Sequence, residues 1–126
     1  MKAFFLSALA IVALGGVAHA EPADHGEIRY PAGSIGYDTL IAGDNERAIA
    51  QITTSNRLSR HDPAKLINLG QAYARTGRSA EAAVLFETAM ARREQFDLVL
   101  ANGRIMSSKE AAKRALAGLQ TRFTSR

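Results

Sequence analysis

Two segments of the chain match each other at a fixed interval of 34 residues. Gly36 and Gly70 are separated by this interval, and so are Gly43 and Gly77. The stretches AGDNERAIAQI and TGRSAEAAVLF then align without a gap, with apolar residues at helical spacing. An internal period of this length, built from two helices and a glycine turn, is typical of stacked helical repeats. This period constrains the fold more than any other feature of the sequence.

Turn and capping residues predict where the helices of both copies begin and end. A glycine ends the first helix of each copy, and a short polar residue caps the helix that follows. Pro63 directly after Asp62 strengthens the start signal there, because proline is favoured at the first helical position. A short, weakly patterned helix is expected to begin near Ala32. The predicted stops are Gly43 and Gly77, and the predicted N-caps are Asp44 or Asn45, Asp62 and Ser79.

The second copy resembles the tetratricopeptide repeat family, in which Leu-Gly-x-x-Tyr is followed by Ala-x-x-x-Phe. The residues at these positions, with the large apolar residue that precedes them, are Leu66, Leu69, Gly70, Tyr73, Ala82 and Phe86. The resemblance implies two antiparallel helices that approach most closely at Gly70 and Ala82. A larger side chain at either position would force the helices apart. These offsets are therefore expected to serve packing rather than catalysis.

The first copy departs from the family pattern, with Thr39 in place of the tyrosine and Ile52 in place of the phenylalanine. After the second copy, Glu94 stands where the family has a proline, so a regular third repeat is not indicated. The predicted fold is all-α: a short α-solenoid of two such helical hairpins, residues 32–62 and 63–93. A small β-hairpin and a C-terminal capping helix are expected to follow.

The β-hairpin is predicted within residues 94–107, where Asn102-Gly103 separates two apolar runs. Both residues tolerate the positive φ of a tight hairpin turn, whereas the other interpretation of this stretch is an irregular loop. An isolated hairpin is barely stable in water, so it should pack against the helices. With a two-residue turn, the facing pairs would be Leu100 with Ile105 and Val99 with Met106.

The C-terminal helix is predicted over residues 108–126, opened by the capping box of Ser107 and Glu110. One side of this helix is apolar and suits burial against the last repeat, as an end helix of a solenoid requires. The other side is a basic face, formed by Lys109, Lys113 and Arg114. Such a face could bind an anionic partner such as lipid headgroups or a polyanion, or it could simply be solvated.

The N-terminus carries the pattern of a secretory signal peptide, MKAFFLSALAIVALGGVAHA. Lys2 precedes an apolar run that is shorter than the roughly 20 residues needed to span a bilayer, and a small-x-small site predicts cleavage after Ala20. Residues 21–31 are interpreted as a flexible leader. The chain has no cysteine, so neither a disulfide nor a lipid anchor on cysteine is available. The expected location is the periplasm or the exterior, with no membrane span.

Little in the sequence indicates catalysis. His25 with Asp24 and Glu27 could form a weak metal site, but a useful site needs ligands in fixed geometry, which a leader would not supply. His61 has no candidate nucleophile beside it, and no phosphate-binding glycine loop occurs. We therefore expect a protein that is not an enzyme and needs neither cofactor nor metal.

The resemblance implies a protein–protein interaction module, since tetratricopeptide arrays bind peptides or helices in a groove formed by the first helix of each pair. By alignment, the partner-binding groove residues are Tyr37, Leu40, Ile67, Gln71 and Arg75. The partner would be a protein or peptide segment, or another copy of the chain.

Two alternatives remain. These residues could be covered by the leader or by a second copy, or the basic C-terminal helix could be the functional surface as an anion-associating module. Nucleic acid is not expected, because only Phe123 supplies an aromatic ring near the basic residues.

Overall fold

The computed structural model describes residues 26–29 and 34–124, apart from the side chain of Phe123. The predicted signal peptide and most of the predicted leader lie outside these residues. The described chain is mostly helical, with one small antiparallel sheet of two strands. Its elements are α1 Tyr37–Ile41, α2 Asn45–Thr54, α3 Pro63–Arg75, α4 Ser79–Met90, β1 Asp97–Val99, β2 Ile105–Ser107 and α5 Ser108–Thr124.

Local capping explains where most of the helices begin and end. The Asp62 carboxylate accepts a hydrogen bond from the Lys65 N–H at 3.1 Å, and Pro63 occupies the first turn of α3. Asp44 caps α2 in the same way. Gly77 follows α3 with φ of +81°, a left-handed conformation that glycine adopts without steric cost. These predicted boundaries are confirmed.

Two predicted boundaries are wrong. Ser79 is the first residue of α4, and the preceding Arg78 occupies the cap position without a side-chain cap hydrogen bond. The first helix begins at Tyr37 rather than near Ala32. Gly36 has φ of +78°, and a helix cannot continue through a left-handed residue.

A glycine faces a large residue at matching places in the two copies. A Cβ atom on Gly70 would lie 2.9 Å from Phe86 Cδ1 and still closer to the next ring atom, so α3 and α4 approach closely only because no side chain is present. A Cβ atom on Gly36 would lie 2.6 Å from Cδ1 of Ile52. Both contacts recur at the 34-residue interval, although Gly70 lies within a helix and Gly36 precedes one.

Helix α3 lies between two apolar clusters. The smaller cluster joins α1, α2 and α3, and its buried members are Leu40, Ala48, Ile52 and Ala72. The larger cluster joins α3, α4, α5, the hairpin and the N-terminal segment, and its bulkier members are Ile28, Leu66, Ile67, Phe86, Leu98, Leu100 and Leu119. Because α3 is central, it packs against each of the other four helices.

The hairpin forms around Asn102 and Gly103 as predicted, but its register differs from the predicted one. The facing pairs are Asp97 with Ser107, Leu98 with Met106, and Val99 with Ile105. The turn holds three residues rather than two: the Leu100 N–H donates to the Arg104 carbonyl and the Gly103 N–H donates to the Leu100 carbonyl, both at 2.9 Å. Gly103 has φ of +80°, as expected for a turn followed by a left-handed glycine bulge.

Helix α5 packs against α4, α3 and both strands. The Glu110 N–H donates to Ser107 Oγ at 3.2 Å, so the predicted N-terminal cap is confirmed. The Glu110 carboxylate pairs with Arg114 Nε at 2.8 Å rather than completing the capping box. Across residues 26–29 and 34–124, no helix combines the length and the apolar character that crossing a membrane requires.

Candidate binding site on helix α3

Residues 26–29, named here the N-terminal segment, run alongside β1 and continue the sheet. The Arg29 N–H donates to the Val99 carbonyl at 2.8 Å, and the Ala101 N–H donates to the Glu27 carbonyl at 2.9 Å. Ile28 and Leu100 form an antiparallel bridge. The segment therefore occupies the free edge of β1 in the manner of an added strand.

Asn68 binds the backbone of this segment from the side opposite to β1. Its Oδ1 accepts a hydrogen bond from the Ile28 N–H at 2.7 Å, and its Nδ2 donates to the Ile28 carbonyl at 3.0 Å. Asn68 is completely buried, so each of these bonds replaces one that water would otherwise make. Both polar backbone groups of Ile28 are satisfied by a single side chain of α3.

A buried ion pair fixes the residue before Ile28. The completely buried carboxylate of Glu27 pairs with Nη2 of Arg75, whose side chain is 18 % exposed. Nη1 of Arg75 also donates to the Leu40 carbonyl at 3.0 Å, which satisfies a backbone acceptor at the end of α1. Burial lowers the pKa of Arg75 from its ordinary value, and the positive charge of Arg122 lowers it further.

The first residue of the segment fits only as glycine. Gly26 has φ of +74°, and a Cβ atom there would lie 2.7 Å from Nε2 of Gln71. Gln71 is itself buried, with only 8 % of its surface exposed. The side-chain amide of Gln71 therefore lies directly against the backbone of Gly26.

Three polar residues of α3 thus face the segment along one stripe of the helix. Asn68, Gln71 and Arg75 are spaced at i, i+3 and i+7, which places them on one face. We refer to them as the α3 polar stripe. Each contacts a different residue of the N-terminal segment: Asn68 contacts Ile28, Gln71 contacts Gly26, and Arg75 contacts Glu27.

The structure corrects the prediction of one exposed groove face. Leu40 and Ile67 are buried, with 1 % and 0 % of their surface exposed, and they belong to the two different apolar clusters. Tyr37 is half-buried at the start of α1. Gln71 and Arg75 lie on one face of α3 and both contact the N-terminal segment, and Arg75 also donates to the carbonyl of Leu40. For these two residues, the structure agrees with the alternative interpretation, in which the leader covers the groove.

A cleft of about 160 Å³ adjoins the stripe between α3, the hairpin and α5. Its lining includes Gly26, Gln71, Leu100, Met106, Arg114 and Arg122. The predicted basic face lies on the outer side of α5, with Lys109, Lys113 and Arg114 exposed. The hydrogen bond from Arg114 lowers the pKa of Glu110, so this part of the face carries both signs of charge.

Sequence reasoning missed Asn68, Glu27 and Ile28. The signal for Asn68 was present, because an asparagine inside an apolar helix is unfavourable unless its side chain has a partner. Its spacing from Gln71 and Arg75 would have identified the stripe. Glu27 and Ile28 gave no local signal, since a buried role for them depends on contacts with residues about 40 positions away.

Two of the three residues of the candidate metal site lie outside the part of the chain that the structure describes. His25 and Asp24 lie outside the described residues, while Glu27 is engaged with Arg75. His61 is exposed in a loop and accepts a hydrogen bond from Arg60 Nε at 3.0 Å. Within residues 26–29 and 34–124, no group of three or more acidic, histidine or cysteine residues could hold a metal ion.

Comparisons of the chain with protein-family models, with curated proteins and with solved structures found no match. The function is therefore argued from the geometry of the α3 polar stripe.

Proposed function

We propose that this protein is an exported interaction module of the tetratricopeptide type that binds an extended segment of a partner protein across the α3 polar stripe. The observation that carries the proposal is the pair of hydrogen bonds from one Asn68 side chain to the N–H and the carbonyl of Ile28. A side-chain amide that binds both backbone groups of an extended residue recognises any chain in that conformation. The edge of β1 adds further backbone hydrogen bonds, as in binding by strand addition.

Packing of the α3–α4 pair supports the repeat assignment. The family pattern needs a small residue where the two helices cross, and Gly70 meets the ring of Phe86 at this place. Asp62, Pro63 and Gly77 delimit α3, the first helix of this helical hairpin, at the expected length. A rigid hairpin of this kind is suited to presenting a fixed row of side chains to a bound segment.

The test uses short random peptides displayed on phage and selected on the full chain, followed by affinity measurement on two variants. We expect Asn68→Ala to weaken the selected peptides at least about tenfold, equivalent to about 1.4 kcal/mol. Charge reversal of the basic face with Lys109→Glu and Lys113→Glu should leave their affinity nearly unchanged. Thermal melting of each variant shows whether it remains folded.

The opposite result would favour the second functional class. If charge reversal abolishes binding while Asn68→Ala has no effect, the basic face is the functional surface and the protein is an anion-associating module. Binding of that kind should also weaken between low and moderate salt, because exposed charges are screened by ions.

Export is part of the proposal and rests on the sequence of residues 1–20. The expected mature form in a periplasmic or secreted location begins at Glu21. Mass measurement of the N-terminal peptide from an envelope fraction tests this directly. An intact Met1 start in that fraction would contradict the proposed cleavage.

A further inference from the structure

We infer that the α3 site recognises a glycine–acidic–aliphatic motif, and that residues 26–28 are the chain's own copy of this motif, which a partner segment displaces. The inference rests on the proposed function and adds the chemistry of the ligand. Its basis is that the site restricts the residue type at three consecutive positions of the N-terminal segment, for a different physical reason at each position.

The first position favours glycine. Gly26 adopts φ of +74°, where residues with a side chain are strained, and the Gln71 amide occupies the space that a Cβ atom would need. A partner residue with a side chain would have to change the backbone direction or displace Gln71.

The second position requires a carboxylate. Glu27 is completely buried against Arg75, and an uncharged residue there would leave the guanidinium without its ionic partner. A buried ion pair adds little stability compared with a well-packed apolar pair, because both charges lose their hydration. Its effect here is to select an acidic residue.

The third position requires an aliphatic side chain. Ile28 is completely buried and belongs to the larger cluster with Ile67, Leu98 and Leu100. A polar residue would lose its hydration among side chains that are apolar in the described part of this cluster. The Ile28 backbone, by contrast, is bound through groups that every non-proline residue carries.

A partner segment can reproduce every contact that holds the N-terminal segment. Among residues 26–29 and 34–124, four hydrogen bonds join this segment to α3 and to the β-hairpin, and all four use its backbone N–H and carbonyl groups. When the segment leaves, the site presents Asn68, the Val99 carbonyl and the Ala101 N–H to an incoming strand. The segment is covalently attached, so a competing free segment faces a high effective concentration of the chain's own copy. A free peptide should therefore bind weakly until that copy is weakened.

The experiment measures a labelled peptide of sequence ADHGEIRY, residues 23–30, by fluorescence anisotropy on the full chain. The double variant Glu27→Ala with Ile28→Ala weakens the chain's own copy and leaves the α3 polar stripe intact. We expect the peptide to bind this variant at least about tenfold more tightly than the native chain. Two control peptides, with alanine for the glycine or glutamine for the glutamate, should bind the variant at least about tenfold more weakly.

A second variant provides a test in case the double variant does not fold. Gly26→Ala disturbs only the first position of the segment and should also increase peptide affinity, by a smaller factor. Thermal melting identifies any variant that has unfolded. Affinity that is the same on both variants and on the native chain would overturn the inference, because the chain's own copy would then not compete.

The remaining outcomes separate this inference from the proposed function. If the folded double variant binds the control peptides as tightly as ADHGEIRY, the motif is wrong while segment binding stands. If it binds neither these peptides nor those selected by phage display, the proposed function fails as well. Light scattering would test whether the segment binds within its own chain. If the native chain is a dimer that the ADHGEIRY peptide dissociates, a second copy supplies the segment, and the inference that each chain binds its own segment would be overturned.

Discussion

Asn68 and Ile28 are 40 residues apart in the chain, yet a single side-chain amide satisfies both backbone groups of the isoleucine. Both residues are completely buried. The relationship couples the N-terminal segment to the central helix, alongside the Glu27–Arg75 ion pair and the backbone hydrogen bonds to the β-hairpin.

Asn68→Leu should release this segment while leaving the helical body folded. The substitution removes both hydrogen bonds of Ile28, and an unsatisfied buried polar group typically costs about 1–3 kcal/mol. If the segment is released, water can hydrate the backbone groups of Ile28, and this limits the cost. Hydrogen exchange at the Ile28 amide should accelerate at least about tenfold, whereas the exposed loop substitution Asn56→Leu should leave it unchanged. Unaltered protection of Ile28 in Asn68→Leu would show that the amide pair does not hold the segment.

A double-mutant cycle on Glu27 and Arg75 should reveal strong coupling. Arg75→Met alone leaves the buried carboxylate without its partner, and breaking a buried pair typically costs about 3–5 kcal/mol. Because Arg75 is 18 % exposed, we expect a value at or below the lower end of this range. Adding Glu27→Gln removes the unpaired charge and should restore part of the lost stability.

The measurement for this cycle is urea denaturation of the native chain, both single variants and the double variant. The expected order places Arg75→Met below the double variant in free energy of unfolding. Additive effects of the two substitutions would mean that the pair contributes no specific interaction.

Gly70→Ala should destabilise the protein even though alanine is the better helix former. The new methyl group would overlap the Phe86 ring, and overpacking of this kind typically costs about 1–3 kcal/mol. Gly118→Ala is the matched control. That glycine lies within α5 with no atom near the position of its Cβ, so the same change should stabilise by roughly 0.5–1 kcal/mol.

Thermal denaturation of the two variants gives the readout. The two substitutions should shift the melting temperature in opposite directions, and Phe86→Leu should relieve part of the defect of Gly70→Ala. A gain in stability from Gly70→Ala would contradict the close crossing of α3 and α4.

Gly103→Ala should weaken the hairpin through the backbone alone. Gly103 has φ of +80° with open space around it, so the cost is conformational and amounts to about 1–2 kcal/mol. Gly103→Asn should cost less, because asparagine tolerates the left-handed region. Hydrogen exchange at the Leu100 amide, which donates to the Arg104 carbonyl, together with thermal melting, would compare the two variants. Equal losses would mean that the side chain rather than the backbone conformation matters at this turn.

The sequence by itself determined the features that depend on short-range physics. The capping of α3 by Asp62, the stop at Gly77 and the turn at Asn102-Gly103 each follow from the conformational preferences of one or two residues. The resemblance to the repeat pattern also predicted a close helix crossing at Gly70, and its packing partner, Phe86, lies only 16 positions further along the chain. Such contacts recur whenever two neighbouring helices are joined by a short turn.

Only the tertiary structure decided how the face of α3 is used. Whether Gln71 and Arg75 face water or a covering strand depends on where residues 26–29 lie, and no local pattern constrains that placement. The one-residue error in the hairpin register has the same origin: a two-residue and a three-residue turn differ little locally, and the buried positions of Leu98 and Leu100 select between them. Long-range burial and polar pairing decide both features. Their energies arise only when distant parts of the chain meet.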